Sequence, residues 1–113
     1  MIVYRKQYKS KMRNQPQWID NIYFPSKKEG RRYLELRMLE KSKEITDLRV
    51  HSRHHIEIGR HHITVYEDDF SYWKDGKFII EDVKGRKSGP AYEMFKLKKR
   101  LMLAVNDLEI SEI

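Results

Sequence analysis

The sequence predicts a mixed α+β fold in the order helix, three antiparallel strands, helix, strand (αβββαβ), with a mixed central sheet flanked by helices. Three observations carry this expectation. Asp75-Gly76 sits between two runs rich in β-branched and aromatic residues, Ile63 to Trp73 and Phe78 to Val83, which signals a two-residue type I′ hairpin. Ser26, with Glu29 three residues later, forms a capping box ahead of an apolar helix face made by Tyr33, Leu34, Leu36, Met38 and Leu39. Pro90 suits the first turn of a second helix with Gly89 or Ser88 as its cap. Its stripe is Met94, Leu97, Leu101 and Val105, widened by Phe95, Met102 and Ala104.

At 113 residues the chain is expected to hold a basic arm over residues 1–15 and one domain over 16–113. Cysteine is absent, which excludes a disulfide framework and a thiolate zinc site and suits a reducing, cytoplasmic setting. No run approaches the roughly eighteen apolar residues of a membrane span, and the first residues lack a signal peptide's apolar core, so a soluble intracellular protein is expected. Lys and Arg number 24 against 17 Asp and Glu, a net charge of +7, which favours an anionic partner, nucleic acid first.

Taken in order, Arg5, Lys6, Lys9, Lys11 and Arg13 make the arm, read as a phosphate-contacting segment or a solubilising tail. After Pro16, Asp20-Asn21 marks a turn between two short extended pieces. The first helix fades near Ser42 to Glu44, and a strand follows, from about Leu48 to Ile58. Gly59-Arg60 turns the chain into the long hairpin. His51, His54, His55, His61 and His62 cluster here; zinc binding is weighed against surface or groove-lining roles, since neighbouring strand residues face opposite ways. Beyond the second helix, Asn106-Asp107 ends it and residues 108–113 alternate as an edge strand.

The register set by Asp75-Gly76 pairs Lys74 with Lys77 and Trp73 with Phe78, and continued outward it places Asp69 opposite Asp82 on one face. Lys84 and Glu67 fall on that face by alternation. Two opposed carboxylates beside Phe78, Ile79, Ile80 and Val83 are costly without a counter-charge. A divalent hard cation such as Mg²⁺ supplies one; a slipped register, or neutralisation by Lys84 alone, is the plainer reading. Glu29 has two open readings: capping residue, or a carboxylate on the buried stripe with Tyr33 and Leu36 that completes a metal site. Arg86 and Lys87, in the loop beside the acids, and Lys96, Lys99 and Arg100, on the second helix, are candidate nucleic-acid contacts, read against a merely solvated face.

Ser26-Lys27-Lys28-Glu29, Asp68-Asp69-Phe70, Glu81-Asp82-Val83-Lys84-Gly85 and Lys96-Leu97-Lys98, in that order, resemble the PD-(D/E)XK nuclease superfamily and, within it, a group of short phage-type proteins. The resemblance spans most of residues 22–113. Asp82 stands where Glu is commoner, Asp68 where Pro or a small residue is, and His51 where Gln is expected. The resemblance implies a restriction-endonuclease-like core and a Mg²⁺- or Mn²⁺-dependent DNA endonuclease. In it, Asp69, Asp82 and the Val83 carbonyl hold the metal, Lys84 orients or deprotonates the attacking water, and Glu29 assists. It also suggests branched, Holliday-junction-like DNA as substrate in recombination or phage DNA processing, and the host cytoplasm as location if the chain is phage-encoded. A chain this small would cut two strands most naturally as a homodimer. The competing readings are a non-catalytic basic nucleic-acid-binding module on the same fold and a plain structural protein.

Overall fold

A computed structural model describes residues 15–113; the basic arm expected at the start of the chain lies outside the described residues, apart from Gln15. The fold is mixed α+β, with two helices and a mixed sheet among the described residues. Contacts divide the chain into two units, with the boundary between Glu35 and Leu36 inside the first helix.

In the first unit, β1 (Gln17–Ile19) and β2 (Ile22–Phe24) pair antiparallel around Asp20-Asn21. Both turn residues have positive φ, 53° and 63°, as a type I′ turn requires and as Asp and Asn tolerate. Helix α1 (Lys27–Lys41) begins as its capping box predicts, the Glu29 N–H donating to Ser26 Oγ at 3.2 Å. Tyr33 Oη donates to Asp20 Oδ2 at 2.8 Å, and its ring packs 5.0 Å from Phe24, so helix and hairpin are locked together. Gly30 permits this closeness: a Cβ there would lie 2.7 Å from Gln17 Oε1 and 3.2 Å from Ile19 Cδ1.

The second unit opens with the end of α1, where Glu40 Oε2 accepts the Leu48 N–H at 2.9 Å. Five strands follow: β3 (Thr46–Val50), β4 (Arg53–Ile58), β5 (His61–Glu67), β6 (Phe70–Lys74) and β7 (Lys77–Asp82). Helix α2 (Pro90–Asn106) and β8 (Ile110–Glu112) complete it. One sheet has the order β3-β6-β7-β8, with β8 parallel to β7 at its edge, and β4-β5 is a separate two-stranded ribbon. The apolar side of α2 meets the strands in a core of Ile56, Tyr66, Ile80, Phe95, Met102 and Ile110.

The hairpin at Asp75-Gly76 forms as expected, both residues at positive φ, with Lys74 opposite Lys77 and Trp73 opposite Phe78. Two expected strands are each broken in two. Residues 48–58 divide at His51-Ser52, and residues 63–74 divide at Asp68-Asp69. The breaks face each other and are cross-linked. The Asp68 N–H donates to the Ser52 carbonyl at 2.9 Å, the His51 N–H to the Asp69 carbonyl at 3.2 Å, and the Ser52 N–H to Asp68 Oδ1 at 2.9 Å. A carboxylate thus replaces a ladder partner, His51 takes φ 56°, and the ribbon turns a corner from one sheet to the other.

Candidate functional site

The corner aims the acids. The β6–β7 ladder stops at Phe70 opposite Glu81, so Asp69 and Asp82 are not a ladder pair as the register extrapolated to them. Asp69 instead turns its N–H to the Glu81 carbonyl (3.2 Å), while its Oδ2 accepts the Val83 N–H at 2.6 Å. The side chain of Asp69 therefore clasps the backbone one residue beyond Asp82. A ring nitrogen of His51 and a carboxylate oxygen of Asp69 also lie within 4.8 Å of each other.

Asp82 is buried, and partners of opposite chemistry hold its oxygens: Tyr66 Oη donates to Oδ2 at 2.6 Å, and Lys84 Nζ pairs with Oδ1 at 2.8 Å. Alternation along the chain places Asp82 and Lys84 on one side, and Lys84 Nζ also stands 3.5 Å over the Phe95 ring of α2. Strand β8 pins the backbone of this segment: the Ile113 N–H donates to the Asp82 carbonyl (2.9 Å) and the Lys84 N–H to the Ile113 carbonyl (3.1 Å). Burial, reinforced by the Asp82 carboxylate and by Asp69 and Asp68 nearby, pushes the Tyr66 phenol well above its ordinary pKa, so it remains a donor.

Asp82, Lys84, Tyr66 and Phe95 line a cleft of about 310 Å³, together with Arg53 and Lys98. A second cleft of about 340 Å³ adjoins Lys84 and is lined by Arg86, Ser88, Gly89 and Tyr92 at the start of α2. Lys84 borders both.

The remaining predicted residues are distributed as follows. Glu29 belongs to the first unit, where it is buried. Glu81 is buried with Tyr72 Oη donating to it, and Tyr72 and Glu81 share the sheet face of Phe70, opposite to that of Asp82; phase separates the two acids as alternation requires. Arg86 bonds Ser88 Oγ at 3.0 Å, Lys96 pairs with Glu93 at 3.0 Å, and Lys99 with Glu112 at 2.8 Å. Lys87 reaches Glu112 at 3.9 Å, and Arg100 is exposed. Sequence reading missed Tyr66, since a tyrosine in a strand of aromatics carries no mark of its partner. It also missed that Asp68, fully buried, spends both oxygens on Ser52 and on His54 Nε2 (2.7 Å). His54 in turn stacks on Tyr66, ring centroids 5.8 Å apart.

Fold and site together define a class: a small basic α+β protein whose Asp82 and Lys84 pair near a sheet corner, beside a cleft lined by Arg53, Lys98 and Glu67. The chain belongs to a family described as a protein of unknown function (DUF1064), whose profile matches residues 9–111. No curated protein and no solved structure matches it. Among the described residues, no helix is long and apolar enough to cross a membrane.

Proposed function

We propose that the chain is a Mg²⁺- or Mn²⁺-dependent nuclease that hydrolyses phosphodiester bonds in DNA, with Asp69, Asp82, the Val83 carbonyl and Lys84 as its reaction centre. The observation that carries this reading is the Asp69 carboxylate clasping the Val83 N–H. That contact joins the corner acid to the very segment bearing the second acid and the lysine. The donor set, carboxylate and carbonyl oxygens with the His51 imidazole beside Asp69, suits a hard or borderline divalent ion. Glu29 enters on the sequence resemblance.

A bound divalent ion would polarise the scissile phosphate and lower the pKa of water near it. The chain's own residues do the rest. Tyr66 and Lys84 fix the orientation of the Asp82 carboxylate. Lys84 Nζ, against the Phe95 face and open to both clefts, is set to orient the attacking water and to neutralise charge building on the phosphate oxygens. Water oxygen bonds to phosphorus, the P–O ester bond breaks, and the departing oxygen takes a proton. Arg86 and Lys87, with Lys98 on the cleft wall, are cations suited to hold the flanking phosphates. Branched DNA and a homodimeric enzyme belong to this proposal through the resemblance alone.

The test is a screen of linear, nicked, flapped and four-way DNA with Mg²⁺ and Mn²⁺. Cleavage of at least one substrate is expected, with Asp82→Ala lowering the rate by about 100-fold or more while leaving DNA retention nearly unchanged. Metal-independent cleavage, or an active Asp69→Ala/Asp82→Ala double variant, overturns the site. A second reading, a basic nucleic-acid-binding module without chemistry, draws on one observation: Tyr66 and Lys84 already engage both Asp82 oxygens. Calorimetric titration with Mn²⁺ separates the two. Silence in that titration alongside salt-sensitive DNA binding selects the module.

A further inference from the structure

On the β4–β5 ribbon, His55 Nδ1 and His62 Nε2 lie 3.3 Å apart, with ring centroids 5.5 Å apart and planes tilted by 59°. The register explains the meeting. Glu57 stands opposite His62, and His55 lies two residues along β4 from Glu57, so all three side chains share one face of the ribbon. Both imidazoles are exposed, and neither lines the clefts beside Asp82. The backbone beneath them is held: Asn106 Nδ2 of α2 donates to the His55 carbonyl at 3.2 Å.

A 3.3 Å separation admits a long N–H···N hydrogen bond between the two rings, its direction set by their tautomers. It also matches a second geometry. Two Zn–N bonds of about 2.05 Å meeting at a tetrahedral angle hold their nitrogens about 3.3 Å apart. Two neutral imidazoles also form a donor pair of the type that selects borderline transition ions over Mg²⁺ or Ca²⁺. We infer that His55 and His62 form a two-histidine site for a divalent transition-metal ion of the Zn²⁺, Ni²⁺ or Cu²⁺ class. Solvent occupies the remaining positions, and the Glu57 carboxylate on the same face adds favourable charge. The site is independent of phosphodiester cleavage, because it shares no residue with the Asp69–Asp82 centre.

The experiment titrates the full chain, carrying no affinity tag, with Zn²⁺ alone, followed by calorimetry and by histidine NMR with Ni²⁺ as a paramagnetic probe. Zn²⁺ binding is expected to weaken by at least about tenfold in His55→Gln and in His62→Gln, a loss that even outer partners of metal ligands produce. Ni²⁺ should broaden the His55 and His62 ring signals together, and the Asp69→Asn/Asp82→Asn double variant should retain that component. An isotherm unchanged in both histidine variants overturns the site, as does loss of the paired broadening in the double aspartate variant. Because these readouts need no DNA, they succeed or fail whether or not the chain is a nuclease.

Discussion

Two carboxylates on neighbouring strands have nearly the same partners and different surroundings. Asp82 on β7 is the register partner of Glu112 on β8. Each accepts a tyrosine hydroxyl and pairs with a lysine: Tyr66 and Lys84 for Asp82, Tyr92 and Lys99 for Glu112. At Asp82 the paired side chains are 9% and 19% exposed, whereas at Glu112 they are 17% and 34% exposed. Tyr92 and Lys99 both come from α2, so that triad bolts helix to sheet. The partners of Asp82 come from β5 and from its own chain segment, and they open onto a cleft. The same three groups thus make a brace in one place and a candidate reaction centre in the other; what separates them is shielding from water, since Tyr92 of the brace also borders a cleft.

Exchanging the two lysines gives the largest expected contrast. Lys84→Met should lower DNA cleavage by about 100- to 1,000-fold, the range for removing one preorganised charge-stabilising group. Lys99→Met should leave cleavage within a few-fold. Equal losses in a single-turnover assay would erase the distinction between the triads.

The tyrosines give a smaller effect, read as stability in urea. Tyr66→Phe should cost about 1–3 kcal/mol by leaving a buried acceptor short of its donor, with Tyr92→Phe costing clearly less. The Tyr66 phenol is raised in the fold, so its contribution is complete below the unfolded value of about 10 and declines as pH climbs toward the folded value. Wild type should therefore lose stability above about pH 10 more steeply than Tyr66→Phe. Matching alkaline slopes would argue that the hydroxyl is not shielded.

Glu112 supplies the smallest effect. The hydrogen bond from Lys99, aided by Tyr92 and Lys87, holds its carboxyl below the ordinary range against the opposing effect of burial. Its contribution is present above the unfolded carboxylate pKa of about 4.3 and is lost as pH falls through the folded value. The gap in urea midpoint between wild type and Glu112→Gln should be slight at neutral pH and should close in acid. A gap that widens in acid would reverse the sign assigned to this pair.

Local chemistry made much of this legible in advance. Asp75-Gly76, Asp20-Asn21, the Ser26–Glu29 cap and Pro90 each act within a few residues, and each forms where the residues demand it. Alternation likewise put Asp82 and Lys84 on one side, with Glu81 on the other. The corner was not legible. Its breaks at His51-Ser52 and Asp68-Asp69 depend on hydrogen bonds between segments sixteen residues apart, a separation over which local propensity carries no information. The acid register failed at its last step for the same reason: Asp69 leaves the ladder because the opposite strand bends with it. The pairing of Tyr66 with Asp82 likewise joins side chains sixteen residues apart and on different sheets, and leaves no local mark.

The bend also separates two tasks along one ribbon. Its base, cross-tied through Ser52 and Asp68, keeps the acids in place. Its far end reverses at Gly59-Arg60, where the glycine has φ 61° and open space around the position a side chain would take. Residues grafted at that tip would change what the ribbon touches while leaving the anchorage of Asp69 and Asp82 intact, so the tip can vary without disturbing the proposed centre.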